Sequence, residues 1–138
     1  MSLPSALCGI QITVRWSDMD ALGHVNNAVY ATYVEEARIR WLTQMEQDWQ
    51  AAEAMPVVVA QHINYRSPIV WPNAVEVNLT LDRLGTSSLT MGFSMYTKEP
   101  EPALVADGHS VLVWVSRQTG KACGLPQTLS TLIASKQS

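Results

Sequence analysis

Residues 17–30 read SDMDALGHVNNAVY, placing Asp18, Asp20, His24, Asn26 and Asn27 between a strand-like run and a helix-like run. Where a helix begins, unpaired backbone N–H groups and the positive end of the helix dipole point outward. Such an end can polarise a carbonyl and hold an oxyanion. A carboxylate a few residues upstream, on the loop, can face the same spot. Base plus oxyanion donors is a minimal kit for hydrolysing an activated acyl group. A thioester suits that kit, because a thiol with a pKa of roughly 8.5 leaves readily.

Other readings of these residues have to be weighed. Asp, Gly and Asn are common turn and cap residues, so residue type alone is equally well explained by a structural loop. A calcium loop also begins D-x-D, but the third acid is missing and the twelfth position from Asp18 is Val29 instead of Glu, which rejects it. Asp18, Asp20 and His24 have no second ligand cluster to complete a metal site. No G-x-S-x-G elbow supports a Ser-His-Asp triad. His62 and His109 fall within strands, where a surface or satisfied core role explains them.

The elements that must position the segment are legible as periodicities. Ile10, Ile12, Val14 and Trp16 alternate with Gln11, Thr13 and Arg15, which predicts a half-buried strand. Tyr30, Val34, Ala37, Trp41 and Met45 then form one helical stripe. Along its other side Glu35 can pair with Arg38, and Glu36 with Arg40. Asn26 or Asn27 suits the cap, and the helix is expected from about Ala28 into the Gln47 region. Alternation returns with Val57, Val59, Ile63 and Tyr65 on one face. It continues in a hairpin of Val75–Asp82 and Leu89–Tyr96 around Gly85. The run ALVADGHSVLVWVS is apolar on both faces in its second half, as a central strand is. TGKACGLPQTLSTLIAS supplies a turn and a short terminal helix.

The expected order is β-α-β-β-β-β in one domain, 1–138. A helix with one apolar stripe needs a sheet to cover it. The expected fold is therefore α+β, a mostly antiparallel five-stranded sheet wrapped around one long central helix.

Composition bounds the function. The 138 residues can bury a real core without disulfides or metal. A net charge of -3 gives no basic excess for nucleic acid. Two cysteines make no disulfide framework, so a reducing cytoplasm is expected. MSLPSALCGI lacks the basic and apolar regions of a signal peptide. No run reaches the roughly 18 apolar residues of a membrane span, so no membrane insertion is expected.

VRWSDMDALGHVNNAVYATYVEEARIRWL closely resembles the first strand, loop and central helix of hotdog-fold acyl-CoA thioesterases, the 4-hydroxybenzoyl-CoA thioesterase-like group. INYRSPIVWPNAVEV, LGTSSLTMGFSMY and VSRQTGKACGLP follow in the same order, so the resemblance covers nearly the whole chain. It implies that Asp20 is the catalytic carboxylate, a general base on water or a nucleophile towards the thioester. It implies that Asn27 polarises the carbonyl through its backbone N–H. His24 and Asn26 match the G-H-V-N-N signature, with roles in loop ordering or substrate contact, and Asp18 falls at a position read as structural. Some members use a glutamate on the central helix, where Glu35 and Glu36 stand. Arg66, Ser67, Ser87, Ser88 and Lys98 lie where the resemblance puts pantetheine and nucleotide contacts. The LTMGF after the serine pair is less basic than is usual there, which leaves room for an acyl-carrier-protein thioester beside acyl-CoA. No cofactor is implied, coenzyme A being part of the substrate. A homodimer or a dimer of dimers is implied. The other readings are a non-catalytic acyl-binding hotdog protein and a dehydratase, whose usual His plus acid pairing is not evident.

Overall fold

The computed structural model describes residues 5–45, 52–127, 129–131 and 134. The alternating runs become strands β1 (Ser5–Thr13), β2 (Ala54–Tyr65), β3 (Ala74–Leu84), β4 (Ser88–Thr97) and β5 (Ala103–Ser116), and the single helical stripe becomes α1 (Asn27–Met45). All five strands form one antiparallel sheet in the order β1-β3-β4-β5-β2. The chain therefore leaves one sheet edge after β1, crosses the inner face as α1, and enters the opposite edge as β2. This crossover lays the helix into the curl of the sheet, as the one-stripe pattern requires.

The inner face follows the alternation. Val75, Val77, Leu79 and Leu81 of β3 are each no more than 1% exposed, and they pair in register with apolar residues of β4 such as Met95, Phe93 and Met91. Against them pack Tyr30, Val34, Ala37 and Trp41 of α1, joined by Tyr33 and Leu42. Trimming Trp41 to Ala would cost about 3–5 kcal/mol, since a buried indole leaves a cavity the neighbours cannot close. β5 lies between β4 and β2, which explains its apolar character on both faces.

Three local expectations change. β1 ends at Thr13 and a 3-10 turn spans Trp16–Asp18, so the alternation does not carry to Trp16, which is 72% exposed. In β2 a bulge between Val58 and Ala60 shifts the register, so Val58, not Val57 or Val59, shares the inner face with Ile63 and Tyr65. Arg38 does not pair with Glu35 in a salt bridge; it is buried and bonds Gln61 and Ser110, whereas Glu36 and Arg40 do pair. The helix ends, as far as described, at Met45, and Gln47 lies outside the described residues. Residues 127, 129–131 and 134 are helical, in keeping with the short terminal helix, and Leu129 joins the core. His62 and His109 are exposed cross-strand partners with stacked rings.

Candidate active site

The segment before α1 is held from three sides. Met19 bridges Val25, the Val25 N–H donates to Ile69 O (2.9 Å), and the Asn26 N–H donates to Asp18 O (3.0 Å). Within this frame Asp20 opens a tight turn: its N–H donates to His24 O and its carbonyl accepts from the Gly23 N–H, both at 3.0 Å. Gly23 sits at φ 83°, in the left-handed region where a side chain is penalised.

Asp18 and Asp20 have different surroundings. Asp18 is 2% exposed, and its carboxylate accepts from the Arg15 backbone N–H, the Arg15 guanidinium and the Tyr33 hydroxyl (2.7 Å). Burial by itself pushes this carboxyl up, yet these donors together hold it below the ordinary carboxylate range. Tyr33 is pushed up in turn, by burial first and then by its bond to Asp18. Asp18 therefore closes the turn on Arg15 and, through Tyr33, ties the loop to α1. Asp20 is partly exposed, and its Oδ1 accepts from the Leu22 N–H (2.9 Å) while its Oδ2 accepts from Asn26 Nδ2 (3.1 Å).

Asn26 also caps the helix. Its Oδ1 accepts from the Ala28 N–H and its backbone carbonyl from the Val29 N–H, both at 2.9 Å. Of the first helical N–H groups, that of Asn27 is left with no acceptor among the described residues. One carboxamide thus holds the Asp20 carboxylate and closes the helix start around a free donor.

Beside that start lies a recess of about 250 Å³ lined by His24, Val25, Asn27, Tyr30, Tyr65, Arg66, Ser67 and Pro68. Tyr30 donates to Ser67 O (3.0 Å), Tyr65 donates to Asn27 O (3.4 Å), and the two rings meet edge to face at 5.2 Å. The Arg66 guanidinium pairs with Asp107 Oδ1 through Nε (3.2 Å) and Nη2 (3.0 Å), and Asn64 donates to the same oxygen. Arg66 in turn holds the Asp107 carboxyl below its ordinary range.

The fold thus brings His24, Asn27, Arg66 and Ser67 to one recess, with Asp20 reached through Asn26. Lys98 stands at the same end of the sheet, but its ammonium pairs with Glu76 (3.3 Å). Ser87 and Ser88 are not brought to the recess by this chain. Ser88 pairs with Val113, whereas Arg66 and Ser67 bond Val105 O, which separates them by about 26 Å along β5. Sequence reasoning missed Tyr30 and Tyr65 as site walls. Both sat in apolar stripes, and a phenol on such a stripe was the available signal. Among the described residues no three His, Cys, Asp or Glu side chains come together to hold a metal, and no helix is long and apolar enough to cross a membrane.

A helix cradled by one antiparallel sheet, with a carboxylate at the helix start, defines the hotdog fold with a candidate acyl-transfer site. The thioesterase-like superfamily model matches residues 14–132, and the chain belongs to that family. It is 35% identical over 117 residues to the long-chain acyl-CoA thioesterase FadM of Escherichia coli, covering 83% of this chain and 88% of FadM. Among solved structures, the PA2801 protein, a putative thioesterase from Pseudomonas aeruginosa, superposes with a TM-score of 0.87 at 38% identity, covering 93% of this chain and 98% of that one. A putative acyl-CoA thioesterase from Xanthomonas campestris is 46% identical with a TM-score of 0.75, covering 85% of this chain and 99% of that one.

Proposed function

We propose that the protein hydrolyses acyl-CoA thioesters to a carboxylic acid and coenzyme A. The observation that carries this is the Asn26 side chain, which joins the Asp20 carboxylate to the helix start whose Asn27 N–H is free. The thioester carbonyl oxygen accepts from the Asn27 N–H, where the helix dipole favours the developing negative charge. Asp20 takes a proton from water as the water oxygen bonds the carbonyl carbon. The tetrahedral intermediate collapses, the C–S bond breaks, and the thiolate leaves with the electron pair. In the covalent variant, Asp20 itself bonds the carbonyl carbon, expels the thiolate, and is released by water from the resulting anhydride. Arg66, half-exposed at the recess, is the cation available to a phosphate of coenzyme A.

The protein works as a homodimer in this reading. Among the described residues β2 is an edge strand whose Val57, Val58 and Val59 are exposed, and an unpaired apolar edge is a template for a second strand. Pairing along β2 sets the recess of each copy beside the other copy.

The test is thiol release from a panel of acyl-CoA esters, followed with a thiol-reactive dye. Asp20→Asn should lower turnover by about 10²–10⁴-fold while leaving the circular dichroism spectrum unchanged. Unchanged turnover in that variant defeats the assignment. Binding of acyl-CoA without release across the panel would instead mark a non-catalytic acyl-binding protein.

A further inference from the structure

Arg38 is 6% exposed, and its hydrogen-bond partners are neutral. Nη1 donates to Gln61 Oε1 (3.2 Å) and to Ser110 Oγ (3.3 Å), and the Ser110 hydroxyl donates to Gln61 Oε1 (2.8 Å). A buried cation without a bonded counter-charge is costly. Burial indeed depresses the guanidinium below its ordinary value, against the through-space pull of Glu35. The fork carries five N–H donors, and both bonds use one nitrogen.

The setting explains where the other donors can act. The row of inner-face residues Leu81, Met91, Ser110 and Gln61 runs across β3, β4, β5 and β2, apolar at first and polar at its last two members. Arg38 sits over that polar end and lines a recess of about 290 Å³ with Ala31, Thr32, Glu35, Val58 and Gln61. Asn27, Ala31, Glu35 and Arg38 recur at helical spacing on one face of α1. Tyr65, Ile63, Gln61 and, past the bulge, Val58 form the matching inner face of β2. Along these two rows lie two recesses, one at the Asn27 end of the helix and one at Arg38 eleven residues later. That is about 16 Å along the axis, less the lean of the arginine back toward the helix start.

We propose that the acyl group runs from the recess at Asn27 to the recess at Arg38, and that Arg38, with Gln61, Ser110 and Glu35, selects acyl chains bearing a hydroxyl near their far end. The proposal rests on the thioesterase reading and names its substrate class. A hydroxyl oxygen accepts from the guanidinium while its O–H donates a hydrogen bond to the Glu35 carboxylate on the same recess. A terminal carboxylate meets that same Glu35 as a like charge, and a plain alkyl end leaves the donors of Arg38 facing methyls. Sites built to bond a hydroxyl discriminate strongly against analogues lacking it.

The experiment compares straight-chain acyl-CoA thioesters of eight, ten and twelve carbons with their terminally hydroxylated counterparts, in wild type, Arg38→Met, Gln61→Leu and Ser110→Ala. Turnover is read as thiol release, and binding of the non-hydrolysable thioether analogues is read by calorimetry. The expected result is at least a tenfold preference for the hydroxylated member of one length pair, in kcat/KM and in affinity. That ratio should collapse toward one in Gln61→Leu and Ser110→Ala, and in Arg38→Met where it folds. No preference in any pair, or a preference unchanged in the folded variants, or an equal loss on both members, overturns the proposal. If wild type releases no thiol from any ester, the thioesterase reading fails, and the calorimetric ratio alone then decides whether the recess at Arg38 selects the hydroxyl.

Discussion

Asn26 Nδ2 donates to Asp20 Oδ2 at 3.1 Å while the same carboxamide's Oδ1 caps the helix at Ala28. Orientation of the carboxylate and completion of the helix start are therefore one structural event. A side chain that makes only one of the two bonds separates them experimentally. This matters because a base gains little from being present and much from being aimed.

Replacing Asn26 tests the coupling. Asn26→Ala removes both bonds, so it should cost about 1 kcal/mol of stability as a lost cap and also lower kcat. Asn26→Asp keeps a capping oxygen but has no donor, and it sets a second carboxylate beside Asp20. Its melting temperature should stay near wild type while kcat falls at least as far as in the alanine variant. Thermal melts and steady-state thiol release on the two variants check this. Parallel losses of stability and activity in both would dissolve the distinction.

The buried Asp18 should make stability acid-sensitive. Its folded-state pKa lies below the unfolded value, so its contribution is present above the unfolded pKa of about 3.9 and is lost as pH falls through the folded pKa. Tyr33→Phe removes the 2.7 Å donor, at a cost of about 1–3 kcal/mol for a bond to a charged buried group. It also moves the folded pKa of Asp18 up toward the unfolded one. The gap in stability between wild type and Tyr33→Phe should therefore be widest near neutral pH and narrow below about pH 4. Urea melts at a series of pH values measure that gap, and a gap independent of pH contradicts the assigned bond.

How far these features could be read in advance depended on how local they were. β3 and β4 alternate cleanly because each packs one face on α1 and each has a strand on both sides. Asp20 and Asn26 are six residues apart, so a turn and a cap bring them together without help from elsewhere. β2 was harder, since the bulge after Val58 reverses which residues face the helix and leaves no mark in residue type. Arg38 stands at a helical spacing that suits Glu35, but its bonds come from 23 and 72 residues away, which no local pattern shows. Trp16 looked like a strand residue until the chain turned for the Asp18 anchor. Within one chain Ser87 and Ser88 stand at the other end of β5 from Arg66, a separation set by strand register and not by residue type.

Arg66 is aimed by Asp107, and the two residues should separate in kinetics. Arg66→Ala removes the cation from the recess, so KM for an acyl-CoA should rise severalfold with kcat little changed. Asp107→Ala leaves the charge but frees the side chain, and its effect on KM should be smaller. Because the pair is half-exposed, the Arg66→Ala penalty should shrink as salt rises past about 0.15 M, where the screening length is near 8 Å. Initial rates at low and high ionic strength check this. A salt-independent penalty would mean that Arg66 acts through packing instead of charge.

The exposed edge of β2 makes the last prediction. Val59 is 59% exposed at the bulge, on a strand with no neighbour on its outer side among the described residues. A lysine there should oppose pairing between copies, as charged edge residues do in natural sheets, while costing the folded chain within about 0.5 kcal/mol as a surface change. Light scattering on the eluting peak should give twice the chain mass for wild type and a shift toward the single-chain mass for Val59→Lys. If the recess of each copy is completed by the other, thiol release should fall together with the dimer fraction and recover as protein concentration is raised. Dissociation without any loss of release would place the whole site within one chain, and a mass unchanged by the lysine would move the interface away from β2.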